Sequence, residues 1–174
     1  MEYIQIPKTI TYKDLAHKNS LSPSSYRTIS FKNKNTKKIR ELLLEKYQIG
    51  HEVGSFSYIN KSNFFFIRTK ALLADYFLPV LNDVECAVPI LPGVFKDFRL
   101  RKGDVLISKD ANIGDASHLN EDLPNFMISG GIVRLRFEDT LKYYIFAFMK
   151  NDFFRSQLDL MVSRGATIKH AKTL

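Results

Sequence analysis

The spacing of the apolar residues changes near residue 139, and this change limits the folds that the sequence can adopt. Between about residue 52 and this change, apolar residues come in short runs separated by proline, glycine and polar residues, which is typical of short strands. After it, Leu141, Ile145 and Met149 recur at the spacing of one helix face. Strands followed by helices predict an α+β domain with short twisted strands in a small sheet or barrel-like arrangement.

Helices are expected to flank these strands at about 36–47, 139–150 and 152–162, with a shorter one at 12–18. In the first of them, Thr36 can cap the start and Gly50 follows the end. The predicted strands cover 26–31, 64–67, 78–81, 88–91, 105–108 and 126–137. Gly130-Gly131 interrupts the last of these, so a bulge or a close backbone approach is expected there.

The length and composition predict one domain. The chain has 174 residues, of which 45% are hydrophobic, and neither a repeat nor a Pro/Gly/Ser-rich linker divides it. We therefore treat 1–174 as a single domain. Cys86 is the only cysteine, so a disulfide within the chain is excluded. No apolar run approaches the ~20 residues of a membrane span and no signal peptide is evident, so a cytoplasmic protein without a membrane partner is expected.

The charge favours a polyanionic partner. There are 26 Lys and Arg residues against 18 Asp and Glu, a formal net charge of +8. Nucleic acid is the first candidate, and a merely basic protein without such a partner is the alternative. The predicted cationic contacts come before and inside the 36–47 helix and near the C-terminus. They are Lys32, Lys34, Lys37, Lys38 and Arg40, with Lys169 beside Arg164 and Lys172.

Motifs for common catalytic chemistry are absent. The sequence contains no phosphate-binding P-loop, no motif set for methyl transfer from S-adenosylmethionine and no H-E-x-x-H zinc motif. The four histidines are scattered without helical pairing: His17, His51, His118 and His170. We therefore expect no bound metal and no cofactor, and no catalytic activity of the chain's own.

One acidic group keeps an enzyme alternative open. Asp104, Asp110 and Asp115 lie near Lys109 in sequence, as the acidic and lysine residues of a Mg²⁺-dependent nuclease do. However, Asp104 and Asp115 each follow a glycine, where turns favour aspartate. The structural interpretation is therefore preferred, and a small nuclease remains the alternative.

Short motifs follow one another through the second half of the chain. They are Lys102-Gly103-Asp104 before the 105–108 strand, Asn112-Ile113-Gly114, Ser129-Gly130-Gly131, Tyr143-Tyr144 at a helix start, and Gly165-Ala166-Thr167. In this order they resemble the Type I restriction-modification specificity-subunit family over about 100–174, with a thinner similarity over 50–75. Each motif alone is common, whereas four of them in the same order are hard to obtain by chance.

The resemblance implies a fold and a role. Full subunits of the family hold two recognition domains apart with two long helices, and each domain reads a few bases of a bipartite site in a major groove. Separate subunits methylate and cleave the DNA. This chain is similar to one such domain without its spacer helix, which would begin after Leu174. Its implied partners are double-stranded DNA, the methyltransferase and restriction subunits, and a second recognition domain or a second copy of the chain.

The resemblance transfers no individual contact residue, so the candidates come from the chemistry of the side chains. Base contacts are expected from Lys109, Asn112 and Ser129, and a further phosphate contact from Arg134. A protein-interaction domain is the remaining alternative, with the helices at 139–162 docking onto a methyltransferase subunit.

Overall fold

A computed structural model describes residues 4–5, 9–18, 26, 28–29, 35–82, 85–86 and 99–161. The described strands are β1 (Ile4–Gln5), β2 (Thr28–Ile29), β3 (Gln48–Ile49), β4 (Phe65–Ile67), β5 (Glu85–Cys86), β6 (Val105–Ser108), β7 (Ala116–His118), β8 (Phe126–Ile128) and β9 (Ile132–Leu135). The described helices are α1 (Tyr12–Lys18), α2 (Lys142–Met149) and α3 (Asp152–Met161). They form an α+β fold, as predicted, with open sheets and no closed barrel among the described strands.

The central element is a four-stranded antiparallel sheet in the order β3-β9-β6-β7. All four residues of β6 are buried, because both faces of the sheet are covered. Val105 and Ile107 point into a cluster with the helices, and Leu106 points into a second cluster on the opposite face. The sheet is therefore the middle layer of three.

A smaller sheet in the order β5-β4-β8 covers one face of this central layer. Its strands β4 and β8 are parallel, with Phe65 opposite Phe126 and Ile67 opposite Ile128. A parallel pair needs a crossover connection, and here the segment between the two strands includes β6 and β7 of the other sheet. The two sheets are therefore interlocked through the chain path.

Helices α2 and α3 cover the other face of the central sheet. Ile145 and Met149 of α2, with Phe154 and Leu158 of α3, are each at most 5% exposed and pack on the side chains of β6 and β9. The predicted helices 139–150 and 152–162 and the helix at 12–18 are confirmed, and their ends differ from the prediction by three residues at most. Their apolar periodicity is local and matches the face that they bury.

The predicted helix at 36–47 is wrong. The segment forms only a short 3₁₀ turn at Ile39–Glu41, followed by bends and an isolated β-bridge at Leu43. Leu43 pairs with Phe137 in an antiparallel bridge, and the Leu44 N–H donates to the Arg136 carbonyl at 2.9 Å. The apolar spacing does indicate which side chains face the core, because Leu42, Leu43 and Tyr47 pack against it. Pairing with the chain beyond β9 satisfies the backbone here in place of helical hydrogen bonds.

The predicted strand at 126–137 is two strands. It breaks at Gly130-Gly131, so that β8 lies in the small sheet and β9 in the central one. A Cβ on Gly130 would meet the carboxylate of Glu52, which is an exposed side chain that can move, so the expected bulge or close backbone approach at this glycine stays a prediction.

Three further strand predictions differ from the structure or lie outside it. Residues 78–81 are described and contain no strand, and 88–91 fall outside the described residues. Of 26–31, the structure describes a strand only at Thr28–Ile29. Residues 116–118, which follow the predicted strand at 105–108, form β7, which pairs with β6 and closes a hairpin.

Candidate nucleic-acid interface

Four chain connections meet at one end of the two sheets. β6 ends opposite the first residue of β9, since Ser108 pairs with Ile132. The parallel strands β4 and β8 also end together, and His51 forms a bridge with Ser129 just beyond them. This end of the domain is called the loop end, and it comprises residues 50–52, 68–70, 109–115 and 129–131.

Backbone hydrogen bonds join these connections to one another. The Lys109 N–H donates to the Gly131 carbonyl at 2.9 Å, and the Gly130 N–H donates to the His51 carbonyl at 3.0 Å. The Ser129 N–H donates to the Ile67 carbonyl at 2.9 Å. The loop end is therefore part of the sheet framework and has a defined geometry.

The 109–115 loop is also closed on itself. The Ser108 hydroxyl donates to the Asp110 carbonyl at 2.5 Å, and the Gly114 N–H donates to the Ser108 carbonyl at 2.9 Å. Ala111 adopts the left-handed conformation with φ 60°, and Gly114 has φ 90°. A left-handed alanine is strained and persists only where the surrounding contacts determine it. The loop is therefore preformed.

The exposed side chains of the loop end are mostly polar. Asn112, His51, Glu52, Arg68 and Lys70 are exposed. Lys109 and Ser129 are half-buried, and the Lys109 ammonium lies 3.0 Å from the Asp110 carboxylate. The structure thus brings together the three residues that were predicted as base contacts from two separate segments.

The same end contains polar residues that the sequence analysis missed. Arg68 and Lys70 follow β4, and His51 and Glu52 follow β3. The available signal was the thin family similarity over 50–75, which includes all four positions. Without the parallel pairing of β4 with β8, nothing in the sequence places them beside residues 109–112.

The opposite end of the central sheet is dominated by arginine. It comprises residues 43–45, 99–104 and 136–142 and is called the arginine end. Asp104 is 1% exposed and accepts hydrogen bonds from the Arg136 Nε at 2.6 Å and Nη2 at 2.8 Å. Glu45 accepts from Arg136 at 2.7 Å and from Arg134 at 2.8 Å. The Arg99 carbonyl completes the network by accepting from both guanidinium groups.

The network shifts the pKa values of the Arg134 and Arg136 guanidinium groups in opposite directions. Burial lowers the pKa of Arg134, and the charge of neighbouring Arg136 lowers it further. The hydrogen bond to Asp104 raises the pKa of Arg136. Arg134 is 7% exposed, so its guanidinium faces the interior ion pairs and not solvent. The Arg134 guanidinium is therefore not on the surface where a DNA phosphate could contact it.

A small cavity of about 130 Å³ opens at the arginine end beside Leu44 and Phe137. Arg101 and Lys102 lie at its wall and are exposed. Lys142 also lines it and pairs with Asp139 at 2.8 Å, which raises the pKa of Lys142. Asp104 and Asp139 also line the cavity, so the cations available there to a phosphate are the exposed Arg101 and Lys102.

The candidate phosphate contacts of the 36–47 segment lie on the surface. Lys37, Lys38 and Arg40 are exposed, and the chain leads from them into the arginine end at Leu43. Lys32, Lys34 and Lys169 lie outside the described residues.

The magnesium site required by the nuclease alternative does not assemble. Asp104 precedes β6 and Lys109 and Asp110 follow it, so they lie at opposite ends of one strand. Asp115 is paired with Arg155 at 2.5 Å. Over 35–82 and 99–161, as in the rest of the described chain, no three His, Cys, Asp or Glu residues are placed to hold a metal ion.

No family model matches the sequence, and no curated protein matches it. Among solved structures, a chain from a study of complex assembly and conformational transition in the type I R-M system has 21% identity and a TM-score of 0.51, over 71% of this chain and 28% of its own length. Over the matched region, this chain has the fold of part of that type I restriction-modification structure. The S-subunit resemblance predicted from the sequence is confirmed at the level of the fold.

Two further S-subunit structures match. The HsdS subunit from Thermoanaerobacter tengcongensis has 22% identity and a TM-score of 0.49, over 69% of this chain and 30% of that one. The S subunit from M. genitalium has 11% identity and a TM-score of 0.49, over 82% and 33%. The matched region is thus about a third of the length of these proteins.

Within the described residues, no helix is long and apolar enough to cross a bilayer.

Proposed function

We propose that this chain is a DNA-recognition domain of a Type I restriction-modification system, and that it reads one half of a bipartite site in the major groove. The loop end carries the proposal. It places polar side chains of several loops on a rigid sheet framework, and direct readout of base edges requires such an arrangement.

The chemistry of individual side chains fits this role. Asn112 is exposed on a preformed loop, and an asparagine amide can donate to and accept from the edge of an adenine. Lys109 and Ser129 flank it with a cation and a hydroxyl. Lys37, Lys38, Arg40, Arg101 and Lys102 supply phosphate contacts, and Lys32, Lys34 and Lys169 remain predicted contacts.

Other subunits of the restriction-modification complex carry out catalysis in this proposal. The chain is non-catalytic and needs no cofactor, while separate methyltransferase and restriction subunits modify and cleave the DNA. A second recognition domain or a second copy of this chain reads the other half-site. A single domain on its own then binds more weakly than the paired arrangement, because the second contact becomes intramolecular only when the two are joined. The complex acts in the cytoplasm.

The proposal is tested by salt-titrated binding to a pool of randomised duplex DNA, with sequencing of the retained fraction. We expect a short motif to be enriched and to survive at ~200 mM salt, because base contacts add to the salt-sensitive phosphate term. Retention that is blind to sequence and vanishes with salt would reject the recognition role.

Asn112→Ala is expected to weaken binding to the enriched motif by about 1–3 kcal/mol, with binding to scrambled duplex unchanged. The reason is that a base contact contributes only on the cognate sequence. Asn125→Ala is the matched control, because Asn125 is exposed and precedes β8 at the end remote from the loop end. Fluorescence anisotropy with both duplexes measures the effect. Equal loss on both duplexes would contradict the assignment.

The double variant Lys37→Gln/Lys38→Gln is expected to weaken binding to cognate and scrambled DNA alike. Loss of two phosphate contacts lowers the slope of log K against log salt by up to about 1.8, at about 0.9 for each contact. Lys13→Gln/Lys61→Gln removes the same charge from other exposed positions and serves as the control. If both double variants lower the slope equally, net charge and not a local surface explains the binding.

A protein-interaction role remains the second candidate, because one surface exposes large aromatic side chains. Tyr143 and Tyr144 of α2 are 55% and 75% exposed, and Phe77 is 65% exposed. Phe77 contacts Phe146 on the inner side of α2. This aromatic surface favours a docking partner such as a methyltransferase subunit. Tight partner binding with sequence-blind DNA retention would move the assignment to this role.

A further inference from the structure

The back of the 109–115 loop rests on helix α3. Arg155 Nη2 donates to the Asp115 carboxylate at 2.5 Å, and the Asp115 side chain is 6% exposed against 35% for Arg155. The carboxylate is thus enclosed beneath the loop while the guanidinium closes it off from solvent. A charge-assisted bond in this half-buried setting holds the loop more firmly than a surface pair would.

A second contact lies beside this ion pair. A Cβ placed on Gly114 would lie 2.6 Å from the Leu158 Cδ1, and Leu158 is itself 5% exposed. The glycine, with φ 90°, lets the loop backbone lie directly on the helix. The loop is therefore fixed to α3 by one polar contact and one apolar contact.

The opposite side of the loop faces solvent. Ala111 and Asn112 are exposed, and Ala111 has the strained left-handed backbone conformation, with φ 60°. A strained residue next to the predicted base contact needs an anchor elsewhere, because the free loop would relax to other conformations. Arg155 and Leu158 of α3 contact the loop and supply such an anchor.

We propose that Arg155 is a positioning residue for sequence recognition. From α3 it holds the 109–115 loop in the conformation that presents Asn112 and Lys109, without touching DNA. This inference rests on the proposed function of the loop end. A preformed loop binds without an ordering cost, so loss of the anchor weakens only the complex that uses the loop. Phosphate binding elsewhere on the chain is not affected.

The test compares the full chain with Arg155→Gln, and with Arg155→Lys as the conservative variant. Affinity is measured for the enriched motif and for scrambled duplex at the same salt concentration. We expect Arg155→Gln to lower the ratio of the two affinities about tenfold, with an unchanged salt slope on scrambled DNA. Arg155→Lys should restore part of the ratio, because it keeps a cation near Asp115.

Hydrogen exchange supplies a readout that does not depend on DNA. In Arg155→Gln the amides of Gly114 and Asp115 should exchange faster, since they bond to the Ser108 and Asn112 carbonyls within the loop. Lys61→Gln is the control, because it removes one cation from an exposed position outside the loop end and the arginine end. The control should leave loop exchange and the affinity ratio unchanged.

Each outcome has one meaning. A wild-type chain that enriches no motif rejects the proposed function and with it the recognition role of Arg155. A wild-type chain that enriches a motif, with an unchanged ratio in Arg155→Gln, rejects positioning alone. A lowered ratio with unchanged loop exchange also overturns it, because the loop would then not be the route of the effect.

Discussion

Replacing Asp104 by Asn is expected to lower the free energy of unfolding by about 2–4 kcal/mol. Asp104 is 1% exposed and accepts two hydrogen bonds from Arg136 and one from the Arg101 N–H. Removing one partner of a fully buried ion pair costs about 3–5 kcal/mol. The Arg136 side chain is 18% exposed and keeps Glu45, which reduces the expected effect.

Urea denaturation followed by circular dichroism measures this change. Asp139→Asn is the control, because Asp139 pairs with Lys142 through a carboxylate that is 93% exposed. Exposed ion pairs contribute little to the free energy of unfolding, so the control should unfold at the same urea concentration as the wild type. Equal stability of Asp104→Asn and wild type would show that the arginine network does not hold this end of the sheet.

The same variant separates structure from catalysis. If the chain cleaved DNA with Mg²⁺ and Asp104→Asn abolished cleavage without loss of stability, Asp104 would be a metal ligand. The geometry leads to the reverse expectation. The Asp104 carboxylate is occupied by Arg136 and lies at the far end of β6 from Asp110.

Gly50→Ala is expected to prevent folding, with a loss that exceeds about 4–5 kcal/mol. A Cβ at this position would overlap the carbonyl oxygens of Ile128 and Ser129. Those carbonyls cannot move cheaply. The Ile128 oxygen accepts from the His51 N–H at 2.9 Å, and the Gly50 N–H itself donates to the Ile132 carbonyl at 3.0 Å. The overlap is thus with backbone that joins the two sheets.

Gly54→Ala is the matched control for this variant. The atoms nearest to a Cβ on Gly54 belong to the ring of Phe56, which is 88% exposed and can turn toward solvent. We expect Gly54→Ala to give soluble protein with wild-type near-ultraviolet circular dichroism, and Gly50→Ala to give aggregated or unfolded protein. Similar behaviour of the two would contradict the close approach of β3 to β8 and β9.

The helices and β6 could be predicted because their signals are local. The spacing of Ile145, Met149 and Phe154 depends only on neighbours within the same helices. The 36–47 segment has a similar apolar spacing, yet it is not an α-helix, because Leu43 pairs with Phe137, ninety-four residues later in the chain by their numbering. Periodicity reports which residues are buried, and a distant partner decides the backbone conformation.

In the candidate site too, some residues can be found from local sequence and others only from the pairing of distant strands. Lys109 and Asn112 could be found because they share one polar loop after a clear strand. Their association with Arg68, Lys70 and His51 depends on the parallel register of β4 with β8 and on the bridge from His51 to Ser129. Arg134 shows the converse, since a cation that is a reasonable phosphate contact by its chemistry is buried against Glu45.

The sequence by itself determined the α+β class, the strand β6, the paired C-terminal helices and the resemblance to a Type I specificity subunit, because each rests on residues close together in the chain. Tertiary structure alone decided that the Gly130-Gly131 pair transfers the chain between two sheets and that Arg155 lies beneath the 109–115 loop. Both depend on contacts between segments far apart in sequence, which form only when the layers pack.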